Sequence, residues 1–88
     1  MRNLLVAPYI TWQFMDDYIY IIDEKNQKLF FLKELSIEIW KNLVKLTPVE
    51  QMIELFMKDY DSNDAKLIEE YIHDFTENLI KEGILYEN

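Results

Sequence analysis

The residues with reactive side chains are few, and their spacing suits no reaction. His73 is the single histidine, between Ile72 and Asp74. A base flanked by a carboxylate is conceivable there, but an exposed helical histidine fits the spacing better. With no cysteine in the chain, no transition-metal ligand set of the usual kind can be assembled. The acid pairs Asp16/Asp17, Asp23/Glu24 and Glu69/Glu70 are neighbours in turns or on a helix surface, where solvated charge is expected. The run Asp59-Tyr60-Asp61-Ser62-Asn63-Asp64 resembles a calcium loop without its central glycine and closing glutamate. One glycine in the whole chain excludes a phosphate-cradling loop. These residues imply no catalytic group, metal or cofactor, so the expected role is binding or structural.

Composition narrows the partner. Nine basic against 17 acidic residues give a charge of −8, which opposes binding to nucleic acid or to anionic membranes. A charged partner should be basic, unless the acidity serves solubility alone. Eighty-eight residues suit one domain over 1–88, with a core fed by 50% apolar residues. The absence of cysteine, of a signal peptide and of any long apolar run points to a soluble protein of the cytoplasm.

The elements that would position a binding site change character at Leu29–Trp40. Tyr9–Phe14, Tyr18–Ile22 and Lys28–Leu32 are β-branched and aromatic, separated by Asp16-Asp17 and by the polar Asp23–Gln27. They predict an antiparallel meander. Leu29–Leu32 is continuously apolar, as in a strand buried on both faces. Neither it nor Tyr18–Ile22 alternates, so either both sheet faces are covered or one awaits a partner. From Leu35 the apolar residues Ile39, Trp40, Leu43 and Val44 take helical spacing, interrupted by Ser36 and charged residues. Thr47-Pro48-Val49-Glu50 reads as a capping box opening a second helix, whose stripe is Val49, Met52, Ile53, Phe56, Met57 and Tyr60. Asp61–Asp64 would end it and cap a third helix from about Ala65 to Glu82. That helix carries Ile68, Ile72, Phe75 and Leu79 as its main stripe, widened by Leu67 and Tyr71 and continued by Asp74 and Asn78. Gly83 is placed to close it, and Ile84-Leu85-Tyr86 to fold back on the core. Strands followed by helices make an α+β domain. If the third strand leaves an edge unpaired, a peptide could add a strand there.

Leu32-Lys33-Glu34-Leu35-Ser36-Ile37-Glu38-Ile39-Trp40 resembles the strand-to-helix signature of the PqqD-like family, a leucine and asparagine before a small residue and an aliphatic-tryptophan pair. Thr47 and Glu50 at the second helix, Tyr60-Asp61 at its end, and Phe75, Leu79 and Gly83-Ile84-Leu85 also match the family spacing. The resemblance spans Tyr9 to Leu85. It departs at Lys33, where asparagine is usual, and at Tyr71, where aspartate is common.

The resemblance implies a winged-helix-like fold, three antiparallel strands then three helices, and the role of a leader-peptide recognition element. Such proteins bind the leader of a ribosomal precursor peptide and present it to a modifying enzyme such as a radical SAM enzyme, a leader protease or a cyclase. The leader adds to the third strand and lies against the third helix. Carried over, Lys28, Leu29, Phe30, Phe31 and Leu32 form the pairing edge, and Leu67, Tyr71, Asp74, Phe75 and Asn78 the helical wall. Alanine at Tyr71 or Phe31 should then weaken binding by about 1–3 kcal/mol. Proline at Phe30 should remove a backbone donor, at some risk to folding. The alternatives are a generic protein–protein adaptor, a homodimer through the same edge, and a winged-helix DNA regulator. Too few lysines on the second and third helices disfavour the last.

Overall fold

The computed structural model describes residues 3–59 and 62–87. Its elements run β1 (Leu4–Val6), β2 (Ile10–Phe14), β3 (Tyr18–Asp23), β4 (Lys28–Lys33), α1 (Leu35–Val44), α2 (Val49–Met57), α3 (Ser62–Lys81) and β5 (Leu85–Glu87). The expected meander is present as an antiparallel sheet in the order β2-β3-β4, and three helices follow it. Tyr9 lies before the first of these strands, and Asp23 and Lys33 extend the other two. A second sheet was not foreseen. It joins β1 to β5, with Leu4 opposite Glu87 and Val6 opposite Leu85, so the two ends of the chain close on each other.

Residues paired across a sheet share a face. Ile10, Trp12, Ile19, Ile21, Phe30 and Leu32 therefore form one row, directed at the helices and part of the core. Ile39, Trp40 and Leu43 of α1, Val49, Met52 and Ile53 of α2, and Ile72 and Leu79 of α3 complete that core. Trp40 and Trp12 meet edge to face, with ring centres 5.5 Å apart, and tie α1 to the sheet. Ser36, expected to interrupt the α1 stripe, is buried instead, because its hydroxyl donates to the Lys33 carbonyl at 2.6 Å.

The helix ends differ in how far they follow the sequence pattern. Gly83 adopts φ 79°; its N–H reaches Ile80 O at 3.0 Å and the Ile84 N–H reaches Leu79 O at 2.9 Å. This pair of hydrogen bonds closes α3 as expected. The Tyr9 hydroxyl then donates to the Gly83 carbonyl at 2.6 Å. The capping box does not form as read. Pro48, not Thr47, precedes the first turn of α2, and no side chain caps it. Thr47 is used upstream, where its N–H bonds Asn42 O at 3.0 Å to finish α1. Between them Leu46 takes the left-handed φ of 65° usually left to glycine. The helix α3 begins at Ser62, a turn earlier than expected, with Asp64 in its first turn. Tyr60 and Asp61, expected at the α2 stripe and at the α2–α3 junction, lie outside the described residues.

The hairpin leading to β4 is held by Asp23. Its carboxylate accepts the Asn26 N–H at 3.0 Å and the Asn26 side-chain amide at 2.8 Å. Burial works to raise its pKa, but the bonds from Asn26 and the Lys25 backbone, with the charge of Lys28, outweigh that and hold it below the ordinary value. A carboxyl with a lowered folded pKa stabilises above its unfolded value, and that stability disappears as pH falls through the folded one. Asp23→Asn is therefore expected to be less stable than the wild type near neutral pH, with the gap narrowing below pH 3.8. Urea midpoints taken from about pH 7 to about pH 2 test this, and a gap that does not change with pH would refute it.

Candidate functional site

The edge of β4 is open. Its only strand partner among the described residues is β3. Which backbone groups point outward follows from the ladder. Met15 N–H bonds Tyr18 O at 2.8 Å and Glu24 N–H bonds Tyr9 O at 3.1 Å, so the pairs 15/18 and 9/24 are hydrogen-bonded ones. Such pairs alternate along an antiparallel ladder, so Tyr20 and Ile22 also bond toward β2. Ile19, Ile21 and Asp23 then bond toward β4, where they engage Leu32, Phe30 and Lys28. The N–H and C=O groups of Leu29 and Phe31, and the N–H of Lys33, are left facing the open edge. The Lys33 carbonyl is taken by Ser36.

The same parity sorts the side chains. Phe30 and Leu32 point to the core, while Leu29 and Phe31 stand on the outer sheet face with 55% and 58% of their surface exposed. The expectation of a strand buried on both faces is thus corrected. Of the two alternatives left open for the sheet, the structure has the uncovered one: Ile22, Leu29 and Phe31 are exposed large apolar residues on one face. Sequence could not separate the two rows, because both are apolar. The proline placement is corrected too, since the Phe30 N–H is committed to β3 and the free donors sit at Leu29, Phe31 and Lys33.

The helical half of the candidate site lies on α3. Leu67, 64% exposed, Tyr71, 43% exposed, Asp74 and Asn78 form an exposed ridge at helical spacing. Phe75 is half-buried against the core and stacks on Tyr71, with centroids 6.2 Å apart and planes 14° from parallel. Leu67 and Tyr71 therefore belong to the surface, where they can be touched, and not to the core stripe they seemed to widen. One turn beyond Asn78, Glu82 meets Lys28 Nζ at 3.4 Å. This exposed ion pair joins the end of the α3 ridge to the start of β4. From it the strand extends about 17 Å and the ridge back to Leu67 about 22 Å.

Shallow clefts mark the surface of the described residues. Tyr18, Phe31 and Lys33 line one of about 320 Å³ on the outer sheet face. Ile22, Asp23, Glu24, Gln27, Lys28 and Leu29 line another at the far end of β4. The third, about 250 Å³, lies between α2 and α3 and includes His73 with Glu50, Glu54 and Glu69. The outer-face clefts had no counterpart in the sequence reading; their signal, apolar residues at alternate positions, was hidden by the equally apolar inner row. No group of three or more metal-ligating side chains occurs among the described residues, and no helix there is long and apolar enough to cross a membrane.

No family model and no curated protein matches the sequence. Solved structures do match the fold. TbiB1, determined in complex with the TbiA(β) leader peptide, is similar with a TM-score of 0.82 over 92% of this chain and 93% of its own, at 20% identity. The heterocyclase TruD is similar with a TM-score of 0.68 over all of this chain, at 21% identity. This chain spans only 12% of TruD. The three-stranded α+β fold is thus one found both in a protein solved with a leader peptide and as a small part of a large heterocyclase chain.

Proposed function

We propose that this protein is a non-catalytic recognition element that binds the leader segment of a ribosomal precursor peptide and brings it to a modifying enzyme. The observation that carries this reading is the open, donor-bearing edge of β4, joined through Lys28 and Glu82 to the end of the exposed α3 ridge, in a fold similar to that of leader-bound TbiB1. Lys28–Leu32 would supply the backbone pairing. Leu67, Tyr71, Asp74, Phe75 and Asn78 would form the wall, with the stacked Tyr71–Phe75 pair as its aromatic centre. Catalysis is indirect. A tethered leader holds the rest of the precursor near the enzyme at effective concentrations of order millimolar.

The enzyme would be of the class of a radical SAM enzyme, a leader protease or a cyclase. The fold's occurrence within TruD supports such a partnership. A DNA-binding role is disfavoured by the −8 charge and by a lysine content of α2 and α3 limited to Lys66 and Lys81, with Lys58 just past the end of α2.

Amide NMR titration tests the proposal, with the leader of a precursor peptide encoded beside the gene as ligand. Shifts are expected over Lys28–Lys33 and Leu67–Asn78. Tyr71→Ala is expected to weaken binding by about 1–2 kcal/mol while leaving the amide spectrum of the core unchanged. Saturable binding of a neighbouring enzyme with no shift at either segment would replace this function with that of a generic adaptor. Shifts of the β4 amides with protein concentration alone would assign the edge to a homodimer.

A further inference from the structure

Building on the strand-addition reading, we propose that the added peptide is read on both faces of the extended sheet, and that its outward row carries an apolar or aromatic side chain opposite Phe31 and a carboxylate two residues away, opposite Lys33. The residues whose backbone groups face the open edge are also those whose side chains occupy the outer face: Leu29, Phe31 and Lys33. A strand added there must place every second side chain directly across from them. The intervening side chains fall on the inner side, toward the helices.

The outer face is built to receive that outward row. Tyr18 and Phe31, diagonal neighbours on β3 and β4, meet with ring centres 5.9 Å apart at a tilt of 59°. With Lys33 they line a cleft that includes two residues of the edge strand. Leu29 borders a second cleft farther along the strand. Leu29 and Phe31 thus keep more than half their surface in water, beside recesses that a neighbouring apolar side chain would fill.

Charge sets the position of the carboxylate. The two lysines of β4 lie on opposite faces: Lys28 on the inner side, paired with Glu82, and Lys33 on the outer side, with no ion-pair partner among the described residues. On a chain of net charge −8, an acidic side chain is repelled over most of the surface and is held at such an unpaired cation. The stem of Lys33 adds apolar wall to the cleft while its ammonium stays in water. An apolar residue and a carboxylate at alternate positions therefore fix the register of a strand that backbone bonds alone would let slip.

Phage-displayed random peptides of about ten residues, long enough to span β4, provide the probe. They are selected in parallel against the full 88-residue protein and against Lys33→Glu. Enriched peptides are then synthesised and titrated by amide NMR. Those that shift Leu29 and Phe31 are expected to carry Asp or Glu two positions from an apolar residue. They should bind Lys33→Glu about tenfold more weakly, the combined effect of losing an opposite-charge pair and gaining a like-charge one. Selection on Lys33→Glu is expected to exchange the acidic position for a basic one. Edge-binding peptides without that preference, or with equal affinity for Lys33→Glu, would overturn the outward-row reading and leave strand addition standing. Enriched peptides that leave the Leu29 and Phe31 amides unmoved, or no enrichment at all, would overturn both.

Discussion

A Phe31→Pro protein is expected to keep its fold and to bind leader peptide roughly a hundredfold more weakly, about 2–3 kcal/mol. Proline is tolerated on an edge strand where the missing N–H faces solvent. Phe31 meets that condition, because the ladder parity turns its N–H away from β3 and its side chain is 58% exposed. The substitution removes a free donor in the middle of the edge and places a pyrrolidine ring where the incoming strand would pack. Phe31→Ala separates the side-chain contribution, with an expected loss of about 1 kcal/mol that leaves the donor in place. Phe30→Pro is the contrasting control. It breaks the ladder bond opposite Ile21 and disturbs a half-buried ring of the core, so its damage should appear as lost stability. Calorimetric titration with melting curves on all three variants tests this. Equal affinities for the proline and alanine proteins at position 31 would show that the peptide does not pair with this edge.

How much of this was legible in the sequence depends on whether local chemistry or long-range pairing decides the feature. The switch from strand to helix at Leu35 was readable because the period of apolar residues changes there, and Gly83 because a left-handed helix end favours glycine. The inward and outward rows of β4 were not. Leu29 and Phe31 are chemically interchangeable with Phe30 and Leu32, and only the pairing register together with the packing of one sheet face on the helices fixes which pair faces water. The capping box was a sound local pattern overridden by its neighbour. Leu46 turns left-handed to end α1, the Thr47 N–H is drawn to Asn42, and α2 starts one residue later than the motif suggests. The β1–β5 pairing joins three-residue strands some eighty positions apart, too short for a periodic signal. On α3, Leu67 and Tyr71 read as a widening of the core stripe, because helical spacing alone could not say that they lie exposed.

Trp40 carries the largest expected stability effect, and the form of the effect is informative. The side chain is fully buried and touches Trp12 edge to face, so it joins α1 to the inner row of the sheet. Trp40→Ala is expected to cost about 3–5 kcal/mol through lost burial and the cavity left behind. A chain of this length has a total stability of about 4–13 kcal/mol, so the variant should be largely unfolded at modest urea. Trp40→Phe is expected to cost much less, about 1–2 kcal/mol. It keeps most of the apolar volume and the ring contact, and it removes the indole N–H, which is buried without a hydrogen-bond partner among the described residues. A buried donor without a partner costs free energy, so its removal is expected to offset part of the lost packing. Urea titration of both variants decides the matter. Equal destabilisation would mean that the indole N–H has a partner in solution and that Trp40 is retained for a hydrogen bond as well as for volume. Because α1 also packs against β4, the two variants extend to function. Trp40→Phe should present an intact edge and bind peptide normally, whereas Trp40→Ala should lose fold and binding together, and a folded Trp40→Ala protein with full affinity would show that the edge does not depend on the α1 packing that underlies it.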